Sequence, residues 1–259
     1  MSTFRPDEND DVYRPLVAMG HAYPAASELP THCHRRSQFL YASTGVMAVT
    51  TPDGAWVAPP ERAVWIPEGV PHSVRMAGAV QTRSVLVDGN LCPARGQVCQ
   101  IVGVSPLLGQ LLVAAADLPL EYEEDGRDGL VVQLLLAEIN RAPVIPLAVP
   151  FPSDAALAKL CHAFLNAPDA TATIEQWAIS LSMDRRRFTR IFRQQTGMSF
   201  VEWRQQACLS VALPRLAAGE SVTTVALDLG YDGPNNFSTM FKRLTGAPPS
   251  RYLRKLACS

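Results

Sequence analysis

The feature that most restricts this chain is a repeat in its last third. Phe188-Thr-Arg-Ile-Phe192-Arg-Gln-Gln-Thr196-Gly197 returns 49 residues later as Phe237-Ser-Thr-Met-Phe241-Lys-Arg-Leu-Thr245-Gly246, and Trp203 and Tyr252 keep the same offset. Upstream, Thr173-Ile-Glu-Gln-Trp-Ala178 matches Ser221-Val-Thr-Thr-Val-Ala226 at an offset of 48, so the second copy carries one extra residue between its two helices. Any fold that accepts this stretch must contain one supersecondary unit twice.

Each copy reads as a short capped helix, a tight turn and a second amphipathic helix closed by glycine. In the first, Thr173 caps a helix to about Leu181, and Asp184 caps another that stops before Gly197. In the second, Ser221 replaces Thr173, Gly230 marks the turn, and Gly233-Pro234 open a helix that ends near Gly246. Phe188, Ile191 and Phe192 share a face at helical spacing, as do Phe237, Met240 and Phe241, and these faces belong to a core. The opposite faces are polar. They carry Arg185, Arg186, Arg187, Thr189 and Arg190 in the first copy, and Asn235, Asn236 and Thr239 in the second, with Lys242 and Arg243 nearer the helix end. Arginine presents a fork to guanine O6 and N7, and asparagine to adenine N6 and N7, so these faces suit base edges in a major groove. Lys242 and Arg243 suit backbone phosphate.

Charge points the same way. The formal net charge of -1 conceals an asymmetry: from Thr173 onward there are twelve Lys/Arg against six Asp/Glu, a net +6, and the residues before it carry -7. A basic end of this kind is a candidate polyanion binder. A solvated basic face would give the same count, and it is the repeat that distinguishes the two.

Residues 173–255 resemble the two-helix-turn-helix DNA-binding domain of the AraC family of bacterial regulators. The resemblance rests on Ala178, Arg190-Ile-Phe192, Thr196-Gly197, Ala226, Leu229-Gly230-Tyr231, Phe237, Phe241-Lys242-Arg243, Gly246 and Pro249-Ser250-x-Tyr252. It implies seven helices, two recognition helices in successive major grooves of double-stranded operator DNA, and a long helix from about Ser199 to about Ala217 that sets their separation. Two residues depart from the pattern. Pro214 falls inside the joining helix and is expected to kink it, and Cys208 stands where the family usually has arginine, which removes one polar or phosphate contact.

From Ala18 to Asp88 the chain reads as short β-segments separated by turns at Pro52-Asp53-Gly54 and Pro67-Glu68-Gly69, the pattern of an antiparallel barrel or sandwich. Trp56 and Trp65 are expected in its core. His32, His34 and Gln38 fall on one face if they share a strand, and His72 follows the second turn. His32-x-His34-x3-Gln38 with Gly45, followed by Pro67-x-Gly69-x2-His72, resembles the two motifs of a cupin, with glutamine in place of the usual glutamate. Three neutral imidazoles with open positions suit a divalent first-row metal. An organic effector, or a purely structural role for the histidines, is the alternative.

Leu107–Ala116 and Leu130–Ile139 read as two apolar helices around an acidic loop. They either pack within the chain or pair two subunits, and the family resemblance favours the homodimer. Residues 142–152 carry four prolines and form a semi-rigid linker. The expected fold class is therefore α+β: a cupin-like barrel over 1–95, a helical dimerisation segment and linker over 96–152, and an all-α double helix-turn-helix domain over 153–259.

With 47% hydrophobic and 18% charged residues, the 259-residue chain can bury two cores. Apolar runs such as Leu130–Ala137 fall short of the ~18 residues that span a bilayer. The acidic start (Asp7, Glu8, Asp10, Asp11) is unlike a signal peptide, so no membrane association and a cytoplasmic location are expected. Six scattered cysteines without a C-x-x-C pair imply free thiols. The function expected from all this is a sequence-specific regulator, not an enzyme, that answers to a small ligand or divalent metal. The rivals are a metal-dependent, dioxygenase-like cupin enzyme fused to a DNA-binding domain, against which Gln38 argues, and a barrel that serves only dimerisation.

Overall fold

The computed structural model describes residues 12–257, apart from the side chains of residues 253 and 255–257. Asp7, Glu8, Asp10, Asp11 and Cys258 lie outside the described residues. The chain divides into two compact units: the described residues up to Thr51 with Trp56–Pro146, and Leu147 onward with Pro52–Ala55.

The first unit is an antiparallel sheet covered by two helices. Its strands are β1 (Leu16–Tyr23), β2 (Glu28–His32), β3 (Ser37–Thr51), β4 (Gly54–Ala58, the first two residues of which count with the second unit), β5 (Arg62–Ile66), β6 (His72–Val87), β7 (Gln100–Gly103) and β8 (Val144–Ile145). They run in the order β1-β6-β3-β5-β7-β8, with β2 added along β6. Among the described residues β1 and β8 do not pair, so the sheet does not close, whereas a barrel was expected. Its two long strands bend instead. Register shifts between Ala42 and Thr44 and between Thr44 and Val46 break the β3–β6 ladder. Gly45 permits the bend with φ +71°, at a point where a Cβ would stand 2.6 Å from Val80 Cγ2.

The helices α1 (Pro106–Ala116) and α2 (Arg127–Arg141) supply the rest of the core. Leu108, Leu112, Leu135 and Ile139 join Leu16, Phe39, Trp65, Val85 and Val102 in one buried cluster. Trp56 and Trp65 are buried, as expected of core residues, on strands that are buried almost throughout. The two helices therefore pack within the chain, while Leu130 and Leu134, one turn apart on α2, stay exposed.

The second unit holds a short strand, β9 (Ala148–Pro150), and the seven helices that the family resemblance implies: α3 (Ala155–Asn166), α4 (Ile174–Ser180), α5 (Arg185–Thr196), α6 (Phe200–Ala217), α7 (Val222–Asp228), α8 (Pro234–Thr245) and α9 (Pro249–Ala257). Local chemistry sets their ends. Thr173 and Gln176 form a capping box on α4, Asp184 accepts from Arg187 N on α5, and Ser221 accepts from Thr224 N on α7. Gly197 at φ +73° and Gly246 at φ +83° close α5 and α8 in the left-handed region.

The two turns share their closing bond. Met183 N donates to Ala178 O at 2.9 Å, and Tyr231 N to Ala226 O at 3.0 Å. The left-handed turn residue is Ser182 at φ +53° in the first copy and Gly230 at φ +78° in the second.

The joining helix α6 opens with a capping box of Ser199 and Glu202 and runs for 18 residues. Pro214 lies in its last turn, where it removes only the N–H that would reach Ser210, and the helix continues to Ala217. Cys208 is fully buried, so its position packs inside the protein. Around α6 the first copy closes an aromatic core, with Trp177 at 4.8 Å from Phe200 and 5.7 Å from Trp203 by ring centroid. The second copy builds a smaller one from Phe237, Phe241 and Tyr252, the last pair 5.3 Å apart.

Candidate nucleic-acid interface and histidine site

Burying one face of α5 and α8 leaves the other in solvent. Phe188, Phe192, Phe237 and Phe241 are fully buried. Arg185, Arg186, Arg187, Thr189, Arg190, Asn235, Asn236, Thr239, Lys242 and Arg243 are all exposed. On α5 Arg185, Arg186, Thr189, Arg190, Arg193 and Gln194 form one exposed basic face. Sequence reasoning passed over Arg193, although the 49-residue offset that relates the copies carries Lys242 onto it. Arg185 is paired with Glu175 of α4 at 3.1 Å, a contact between two exposed side chains that DNA can break at little cost.

The two helices share one detail and differ in two. Thr189 Oγ1 donates to Arg185 O and Thr239 Oγ1 to Asn235 O, each at 2.9 Å, so both hydroxyls keep acceptor capacity only. No side chain caps α8, and its first-turn amides are left to water or to an anion. Arg243 donates to Gln205 Oε1 of α6, so this guanidinium clips α8 to the joining helix as well as carrying charge.

In the first unit His32, His34 and His72 come together by a route that strand alternation did not describe. β2 ends at His32, which pairs with His72 at the start of β6. His34 lies in the loop between β2 and β3, not on a strand with Gln38. Its carbonyl accepts from Gly69 N at 2.9 Å, which fixes the loop against the Pro67–Gly69 turn. The ring centroids stand 5.0 Å apart for His32–His34, 4.3 Å for His32–His72 and 5.5 Å for His34–His72. One nitrogen from each lies within 4.8 Å of the others.

Two of the imidazoles are oriented by backbone. His32 Nδ1 is 2.7 Å from Pro30 O and His72 Nδ1 is 3.0 Å from Val70 O. A carbonyl can only accept, so Nδ1 carries a proton in each, and in a neutral His72 the lone pair is on Nε2. Burial pushes His72 down to about 4, reinforced by His32 and His34 and opposed by the Val70 carbonyl, so the ring is neutral at pH 7. Nitrogens bound to one ion at about 2.1 Å lie roughly 3.4 Å apart. The donor set fits a metal after an inward adjustment of about an ångström. Gln38 is buried on β3, its Nε2 donating to Ser84 Oγ at 2.8 Å and its Oε1 buried without a partner. The described cysteines are all free, and burial pushes Cys161 and Cys208 up to about 12, which leaves them unreactive.

Two copies of helix-turn-helix with arginine and asparagine on their outer faces define a DNA-binding transcriptional regulator. Residues 177–255 match the family of the helix-turn-helix domain. The HTH-type transcriptional regulator NimR of Escherichia coli is 31% identical over 227 residues, 88% of this chain and 83% of its own length. The arabinose operon regulatory protein of Salmonella typhimurium is 31% identical over 150 residues, 57% of this chain and about half (52%) of its own length. The DNA-binding domain of AdpA, solved with a target DNA, is 28% identical with a TM-score of 0.37, covering 40% of this chain and 93% of that one. The chain belongs to the AraC family of transcriptional regulators. Among the described residues no helix is long and apolar enough to cross a membrane.

Proposed function

We propose that this regulator reads DNA with Arg185, Arg186, Arg187, Thr189 and Arg190 of α5 and Asn235, Asn236 and Thr239 of α8, and that a divalent first-row metal ion held by His32, His34 and His72 of a cupin-like N-terminal unit controls it. The observation that carries the metal reading is the cluster itself, one ligand nitrogen from each of His32, His34 and His72 within 4.8 Å of the others, with two of the rings turned by Nδ1–carbonyl bonds. A bound ion would cross-link the end of β2, the following loop and the start of β6. An uncharged organic effector needs no such oriented rings.

Gln38 in place of a carboxylate supports a sensor over a dioxygenase-like enzyme, since among the described residues no carboxylate joins the three imidazoles. The exposed Leu130–Leu134 stripe of α2 supports a homodimer. Leu134→Glu should lower the mass seen by analytical ultracentrifugation by half.

The metal reading is tested with Co2+, whose visible spectrum reports imidazole ligation directly. Titration of the full chain should give a ligand-field band that His34→Ala abolishes, with affinity for selected operator DNA nearly unchanged. Gln38→Glu should tighten Co2+. If none of Mn2+, Co2+, Ni2+ or Zn2+ binds, and an uncharged effector raises the melting temperature of the wild type but not of His34→Ala, the organic alternative is correct.

A further inference from the structure

The joining helix alone would leave the second copy free to swing. At 1.5 Å per residue α6 is roughly 27 Å long, and only its end leads into α7. The structure adds further ties. Ala170 N, in the α3–α4 loop, donates to Leu229 O at 2.7 Å, directly across to the turn of the second copy. At that turn Gly230 has φ +78°, and a Cβ on it would stand 2.5 Å from Asp169 Oδ1. Asp169 cannot easily step aside, because the same oxygen holds Thr171 N at 2.8 Å and Thr171 Oγ1 at 2.7 Å.

A second tie closes on α7. Arg215, in the last turn of α6, reaches Glu220 with Nε at 3.0 Å to each carboxylate oxygen and Nη2 at 2.6 Å, and reaches Asp228 Oδ2 at 2.5 Å. Glu220 precedes α7 and Asp228 ends it, so one guanidinium holds both ends of that helix. The bidentate geometry separates this network from an ordinary surface pair. It is not a property of the repeat, since the first copy has Ala167, Ala172 and Ser180 at the positions of Arg215, Glu220 and Asp228. The charges occur only where the second copy must be fixed to the first.

We propose that Arg215 and Gly230 are positioning residues that lock the distance between α5 and α8, so that the protein selects operators by the spacing of two boxes as well as by their sequences. This rests on the reading that both helices enter DNA. One inserted base pair moves the second box by about 3.4 Å and rotates it by about 34°, given 10–10.5 base pairs per turn of about 34–36 Å. A locked frame cannot follow that displacement.

The test is a spacing series. An operator is selected from random DNA with the wild-type chain, and one base pair is then inserted or deleted between its two boxes. Wild type should lose at least tenfold in affinity on each altered spacing. Arg215→Met and Gly230→Ala should bind the parent operator more weakly but lose less than threefold on the inserted one. Arg215→Lys, which keeps the charge without the fork, should lie between. A role in stability alone would weaken binding by the same factor at every spacing, and that result overturns the proposal, as does a wild type indifferent to spacing. If Arg215→Met unfolds early in a thermal melt, Glu220→Gln with Asp228→Asn makes the same test. A wild type that selects no sequence would instead sink the DNA-reading assignment and the lock with it.

Discussion

At the histidine site His72 is buried and neutral, and His32 and His72 are oriented by main-chain carbonyls, whereas on α5 and α8 the working atoms are charged or amide groups in open water, held chiefly by the phenylalanines on the opposite face. The first arrangement suits a small partner that must displace little and be gripped from several sides. The second suits a long polyanion that supplies its own electrostatic attraction and replaces the solvent. The difference predicts which perturbation each region answers to: proton concentration for one, salt and sequence for the other.

The largest effect expected is on packing behind the reading face. Phe192→Ala removes a fully buried ring from the aromatic core and should cost about 3–5 kcal/mol in urea unfolding. Ile179→Ala, at a residue 75% exposed, should cost almost nothing. Similar losses would mean that the reading helices are not held by their cores.

Next comes acid. An unfolded histidine takes its proton near pH 6.5, but folded His72 takes it only near about 4. Protons then favour the unfolded chain between those values. Stability of chelator-treated protein should be level above about pH 6.5 and fall by on the order of 3 kcal/mol toward pH 4. His72→Gln should remove that slope. An unchanged slope in the variant would put the titrating group elsewhere.

Smaller effects belong to the reading face. Alanine at Arg186, Arg190, Asn235 or Asn236 should each cost about 1–3 kcal/mol on the selected operator and relax preference at one position. Footprints should show two protected stretches about 10 base pairs apart per subunit. Equal losses on random DNA would reduce these residues to phosphate contacts. The smallest change should come from Lys242→Ala, which weakens all sequences alike and lowers the salt slope by about one.

The C-terminal unit was legible because its signals are local. Thr173, Asp184, Ser199, Ser221, Gly197 and Gly246 each end or begin a helix by hydrogen bonds within a few residues, and the repeat checks every assignment twice. What escaped there is tertiary: the Arg215 network and the Arg243–Gln205 contact join residues with no spacing rule between them. In the first unit a motif marks the histidines, and strand pairing sets His32 against His72, but alternation along one strand does not place His34. His34 is brought in by a loop bond to Gly69, which no period of two announces. Closure of the sheet likewise depends on how far β3 and β6 bend at their register shifts, and hydrophobic alternation does not encode that.

The turn of the first copy has one further consequence. Ser182 adopts at φ +53° the conformation that Gly230 adopts without a side chain, and a left-handed backbone costs a non-glycine residue roughly 1–2 kcal/mol. Beside the Ala170 N bond to Leu229 O, which only the second turn accepts, that strain is the main local difference between them. Opening near Leu181–Met183 therefore starts from a raised ground state, and amides there should exchange with deuterium several times faster than those at Leu229–Tyr231. Two copies of one motif thus breathe at different rates. The copy that carries the arginines is the more readily remodelled of the two.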